Sequence, residues 1–310
     1  MAAPLITSAT LSKAVYAPGE KIVAAVVAAG AEQAQMEVVV SLRNKVTGEI
    51  SAPVSAGFTI HAPRVGMSTA PGKPTEKMLG TYPRVRYMRD FGTDGADADR
   101  LPELPAHGAG KMAAPADCIV HVSWKDDVEQ LTGWLNGLTR PVYLTWYHEP
   151  MGDVPPATYR TKAARVSQIV ASHRNRRLVL GHGPIVTRYW LDEGRGNPTD
   201  WWYPGATHYG IDCYSRDTAA YWGPDRMFGV AFGKVRKALP KARLLVPEYG
   251  LVRTTTDITG AGRAKAIREH IAWLRQQPDV DAVAYWNNWP EYEISSHELE
   301  AQAWRDAQQA

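Results

Sequence analysis

From residue 64 onward the chain alternates short apolar runs with stretches of helical periodicity. The runs are Arg64–Ser68, Arg84–Met88, Cys118–Trp124, Val142–Trp146, Arg177–His182, His208–Tyr214, Leu244–Glu248 and Ala282–Trp286. Between several of them, apolar residues share one helical face: Val128, Leu131, Leu135 and Leu138, then Tyr159, Val166, Ile169 and Val170, then Ile267, Ile271 and Leu274. Short runs of this kind read as buried strands, and the 3.6-residue period reads as amphipathic helix. Strands separated by helices require a parallel sheet whose outer face the helices cover. Eight such units over about 250 residues match a (β/α)8 barrel, so the expected fold class is α/β, a TIM barrel. An open doubly wound sheet is the competing arrangement, weakened because no Gly-rich phosphate loop follows the first strand.

Residues 1–60 have another character. They contain no tryptophan, and the runs Ile22–Val27 and Met36–Leu42 are β-branched, with turn signals at Ala17-Pro18-Gly19 and Thr47-Gly48. The expected organisation is a small N-terminal β module over 1–60 and a barrel domain over 61–310, with His61-Ala62-Pro63 at the junction. So short a module is expected to lean on the barrel or on an assembly partner. Met1–Pro4 lacks the basic and apolar regions of a secretory signal, and Ile22–Ala31 is too short to span a membrane. The expectation is a cytoplasmic protein, or a virion-associated one released by lysis.

The balance of 35 basic and 32 acidic residues, net +3, argues against nucleic-acid or anionic-membrane partners. Aromatic usage is skewed, with 11 Trp and 14 Tyr against 4 Phe. Trp and Tyr combine a flat apolar face with a polar handle, which suits surfaces that stack on sugar rings and equally suits amphipathic packing under loops. Cys118 and Cys213 both fall in strand candidates and read as buried free thiols. No Cys/His spacing of metal type is present, and no metal or organic cofactor is expected. The Gly-, Asp- and Ala-rich stretch Asp90–Lys111 reads as a long loop on the active-site face, with Asp94, Asp97 and Asp99 as solvated carboxylates.

Chemistry concentrates at two strand ends. Val142–Trp146 runs into Tyr147-His148-Glu149-Pro150, and Leu244–Glu248 ends in Pro247-Glu248-Tyr249-Gly250. In a barrel, groups at the carboxyl ends of strands face the active site, and the fourth and seventh strands stand on opposite sides of the mouth. Two carboxyls facing each other there are the equipment of glycoside hydrolysis, one as acid and one as nucleophile or base. His121 and His182 read as interior or rim histidines. Arg86 and Arg89, near the end of the second strand, either support the nucleophile or pair with Asp90.

These motifs resemble those of clan A glycoside hydrolases, and His148 before Glu149 is similar to family 26, the β-mannanases and their relatives. Trp202-Tyr203-Pro204-Gly205 followed by Tyr209–Tyr214, and Tyr285-Trp286-Asn287-Asn288-Trp289, extend the resemblance over roughly residues 64–290. The resemblance implies Glu149 as acid/base and Glu248 as nucleophile in a retaining, endo-acting enzyme on a β-linked polysaccharide. It implies that His148 contacts sugar or orients the nucleophile, that Tyr214 donates to Glu248, and that Asp212 binds within the site. Trp286 would floor the sugar at the cleavage point, and Trp124 would offer a further stacking face. The chain departs from family 26 at substrate-contact positions: Thr145-Trp146 replace Arg-Pro, Lys125 replaces His, and Met151–Val154 lack the usual aromatic. A non-catalytic carbohydrate-binding or phage tail-like protein on the same scaffold is the alternative.

Overall fold

The computed structural model describes residues 5–11, 24–29, 33–40, 54–68, 75–90, 101, 115 and 117–309. Before the barrel, β1 (Leu5–Leu11) pairs antiparallel with β2 (Ala24–Ala29), and β3 (Gln33–Val40) with β4 (Val54–His61). The described parts of the β-branched runs, residues 24–27 and 36–40, fall on β2 and β3. The turn signals at 17–19 and 47–48 lie outside the described residues, as do Asp94, Asp97 and Asp99 of the long loop.

Nine parallel strands follow: β5 (Arg64–Ser68), β6 (Tyr87–Asp90), β7 (Ile119–Trp124), β8 (Val142–Trp146), β9 (Val179–His182), β10 (Ile185–Thr187), β11 (His208–Ser215), β12 (Arg243–Leu251) and β13 (Val280–Trp286). Their order is β10-β11-β12-β13-β5-β6-β7-β8-β9. Apart from β9 and β10, successive strands are neighbours and β13 pairs with β5, so no reversal of strand order exists and the doubly wound alternative is excluded. The two ends of the order are consecutive in the chain, joined by Gly183-Pro184. Gly183 N–H donates to Leu144 O on one side (3.2 Å), and Gly210 N–H donates to Pro184 O on the other (2.8 Å). The sheet therefore curls back on itself in a TIM-like α/β architecture. Glycine is required at 183, because a Cβ there would lie 1.6 Å from His208 O.

Helices α1 (Thr75–Thr81), α2 (Gln130–Asn136), α3 (Pro156–Ser172), α4 (Arg188–Asp192), α5 (Val230–Ala238), α6 (Ala261–Leu274), α7 (Trp289–Tyr292) and α8 (Glu298–Gln309) complete the chain. The apolar stripes read from the sequence bury the expected residues on α3 and α6. Strand periodicity then sorts the barrel strands into two faces. Tyr87, Ile119, Tyr143, Leu245, Ala282 and Ala284 pack together inside the sheet. Their neighbours Met88, Val120, Val122, Leu144, Val246 and Val283 belong to the larger core between sheet and helices. Each large side chain buried there contributes roughly 1.5–3 kcal/mol. Cys118 and Cys213 are free and buried, as expected. Among the described residues, no helix is long and apolar enough to cross a membrane.

Candidate active site

The inner face of the sheet determines which side chains reach its carboxyl end. On β6, Tyr87 points inward, so Arg89 does too. On β11, Tyr209, Ile211 and Cys213 pack outward, which turns Asp212 and Tyr214 inward. These three residues meet Glu149 and Glu248.

Glu248 reaches the interior through a break in register. Leu245 of β12 faces inward, so strict alternation would send Glu248 out toward the helices. Between Leu245 and Tyr249, however, β12 carries one residue more than β11 (Gly210↔Leu245, Cys213↔Tyr249). It also carries one more than β13 (Val246↔Val283, Tyr249↔Tyr285). This bulge contains Pro247, which has no N–H to give the ladder. The extra residue flips the alternation. Tyr249 turns outward, bonding His270 Nδ1 at 2.7 Å, and Glu248 turns in, 7% exposed.

At the end of β8 the backbone is strained. Tyr147 (φ 53°) and Glu149 (φ 50°) are both left-handed, a conformation costing roughly 1–2 kcal/mol for a non-glycine residue. It is held by ladder bonds on either side, Tyr147 N–H to Trp124 O (2.6 Å) and Glu149 N–H to Ile185 O (3.0 Å). His148 sits half-buried between them. Burial holds its imidazole neutral, with Arg89 and Lys125 acting in the same direction.

Five groups now share one buried space: Arg89, Glu149, Asp212, Tyr214 and Glu248. Tyr214 OH donates to Glu248 Oε2, and Arg89 Nη2 lies 3.7 Å from Glu248 Oε1. Burial pushes the Glu248 carboxyl up to about 7; Arg89 opposes the rise, the charge of Glu149 adds to it, and the Tyr214 hydroxyl opposes it. Burial also raises Glu149, with the charge of Arg89 opposing the rise. Asp212 is fully buried and held well above the carboxylate range, by burial first and by the charge of Glu248 next. Among the described residues, neither carboxyl oxygen of Asp212 has a hydrogen-bond partner, which in so buried a place disfavours its ionised form.

Of the remaining expected residues, Trp286 lies at the mouth, 8% exposed, edge-on to Trp289 at 6.1 Å. Trp124 is 0% exposed. Ile119 faces inward, and His121 bonds Tyr87 OH (2.6 Å) and Thr145 Oγ1 (2.8 Å) inside the sheet. Period-2 alternation therefore places Trp124 on the helix-facing side, where its ring offers a ligand no face. His182 is buried and stacked on Tyr203, an interior histidine as expected. Of the two readings left open for Arg89, the structure places it beside Glu248. Its spacing of two residues from Tyr87 was the available signal. Lys125, a departure from the family pattern, lies with its ammonium 4.9 Å from the Tyr147 ring centroid.

No family model matches the chain, and no curated protein matches it. Among solved structures, ZgEngAGH5_4 superposes with a TM-score of 0.52 at 12% identity, covering 79% of this chain and 95% of that one. The same protein in complex with a cellotriose gives 0.50 at 11% identity, over 79% and 95%. BoMan26A, a GH26 β-mannanase from Bacteroides ovatus, gives 0.46 at 12% identity, over 80% and 89%. At such identity the likeness is one of fold.

Proposed function

We propose that this protein is a retaining, endo-acting glycoside hydrolase that cleaves a β-linked polysaccharide by double displacement. Glu149 is the acid/base and Glu248 the nucleophile. With β9 and β10 counted as one strand interrupted at Gly183-Pro184, the scaffold is a (β/α)8 barrel. The observation that carries the reading is the convergence of Glu149, Asp212 and Glu248 around one guanidinium, at the carboxyl end of a parallel sheet.

Charge balance supports the assignment of roles. A buried space holding three carboxyls and one guanidinium is least costly with one carboxylate ionised. Glu248 has the Tyr214 donor and the nearby Arg89, so it carries that charge, while Glu149 and Asp212 keep protons. Glu248 attacks the anomeric carbon as Glu149 protonates the departing glycosidic oxygen. The negative charge then moves from Glu248, now an ester, to Glu149. There Arg89 still balances it. Glu149 next takes a proton from water, which attacks the ester and frees Glu248. The charge of the site stays constant through both steps.

The test is hydrolysis of mannans, β-glucans, xylans and bacterial envelope glycans, with product sizes and anomeric configuration read out. Glu149→Gln is expected to lose roughly 10²–10⁴-fold in turnover, and Glu248→Gln to abolish it. Azide should rescue Glu248→Ala, giving a glycosyl azide of inverted configuration. Full activity in either Gln variant would refute the assignment. Saccharide binding without any product would favour a carbohydrate-binding protein on the same scaffold.

A further inference from the structure

Among the described residues, the large hydrophobic side chains open to solvent are aliphatic with one exception, Trp289, which is 50% exposed. Its backbone is left-handed, φ 43°, a strained state for a bulky residue. The surrounding turn fixes it there. Asn287 N–H donates to Ser68 O (3.1 Å), Asn287 Oδ1 accepts from Ile294 N–H (2.9 Å), and Asn287 Nδ2 donates to Ser295 Oγ (2.6 Å). The Trp289 ring rests edge-on to Trp286 and 6.1 Å from Tyr292, and Tyr292 in turn backs Tyr214 at 5.1 Å. One unbroken line of rings thus runs from the hydroxyl that holds Glu248 to a half-exposed indole. In strand order Trp289 follows β13, four places from β8 and its Glu149.

We propose that Trp289 is the stacking platform for a second pyranose ring, the one next to the ring over Trp286 on the side away from the leaving group. This rests on the glycosidase reading for its direction, because Glu149 marks the leaving-group side and Trp289 stands opposite. An indole face suits the axial C–H face of a pyranose. The strain in the turn is the cost of presenting that face.

Three variants test it: Trp289→Gly, Trp289→Ala and Trp289→Phe. On aryl β-glycosides, kcat/KM for the aryl disaccharide should fall about five- to tenfold in the Gly and Ala variants. The aryl monosaccharide should stay within about twofold, and Phe should restore most of the loss. Glycine accepts the left-handed conformation freely, so Trp289→Gly should melt no lower than the parent protein, whereas loss of a core tryptophan would lower the melting point. Equal losses on both substrates, or none on the disaccharide, overturn the proposal. If no glycoside is cleaved, the catalytic reading fails by itself. Calorimetric titration with cellohexaose, laminarihexaose and mannohexaose then decides the platform. A fivefold or greater loss of affinity in Trp289→Gly upholds it, and unchanged affinity, or no binding by the parent protein, overturns it.

Discussion

Arg89 shows how one residue sets the working range of a site. Its guanidinium is 1% exposed and faces three carboxyls, lowering the two glutamates against the upward push of burial. The free-enzyme pH profile of kcat/KM should be a bell. Its acid limb reports protonation of Glu248, which stands near 7, and its base limb reports loss of the Glu149 proton. Arg89→Gln removes a positive charge, so the Glu248 anion becomes harder to form, its pKa rises, and the acid limb moves to higher pH. Arg89→Lys, keeping the charge, should move it less. An acid limb that stays in place or shifts downward would show that Arg89 is not the counter-charge. At this scale the sequence was legible where identity alone decides: Glu149, Glu248, Asp212 and Tyr214 meet as their positions suggested. It was misleading where facing decides. Trp124 and Arg89 both sit near strand ends, but they lie at opposite parity to each other, so one packs under helices and the other enters the site.

Elements show the same dependence on parity, and β12 shows it most sharply. Pro247 reads in the sequence as an awkward residue in a buried strand. In the structure it lies within the bulge that turns Glu248 inward, where its missing N–H costs the ladder nothing. Pro247→Val restores an N–H and permits a regular ladder, in which residue 248 would face the helix layer. Displacement of a reacting group by about 1 Å already costs roughly a hundredfold. The expected outcome is therefore a loss of at least that size in kcat/KM with the far-ultraviolet circular dichroism preserved. Unchanged kcat/KM would mean that the bulge is set by Tyr214 and Arg89 pulling on Glu248 instead. The fold was readable because runs such as 64–68 and 142–146 are uninterrupted. β10 was not, since three residues after Gly183-Pro184 give no periodicity to detect. α5 was not either, because it opens on a wide π turn at Asp225–Gly229 and carries Gly233, so its stripe is broken.

For the molecule as a whole, the proposed site and a buried ion cluster stand at opposite ends of the parallel strands. At the amino end, Asp281 of β13 bonds His208 Nε2 of β11 (2.7 Å) and the forked guanidinium of Arg243 on β12 (Nε to Oδ2, 2.7 Å). One carboxylate thereby ties three adjacent strands. Burial pushes it up, but the His208 and Arg243 hydrogen bonds outweigh burial and leave it at about 2. A depressed carboxyl stabilises the fold fully above its unfolded pKa near 3.8, and this contribution, about 2 kcal/mol, is lost as pH falls toward 2. Asp281→Asn leaves Arg243 and His208 facing a neutral amide in a site only 5% exposed on the Asp281 side. The expected cost is about 3 kcal/mol, roughly 6–12 °C in Tm at neutral pH. The gap between variant and parent should narrow as pH approaches 2. Because Asp281 and the proposed catalytic cluster lie at opposite ends of the strands, kcat/KM per folded molecule should not change at temperatures well below the midpoint. A variant that loses activity while keeping its melting temperature would show that the strand ends are coupled, and that the division of the barrel into a stabilising floor and a reactive rim does not hold for this chain.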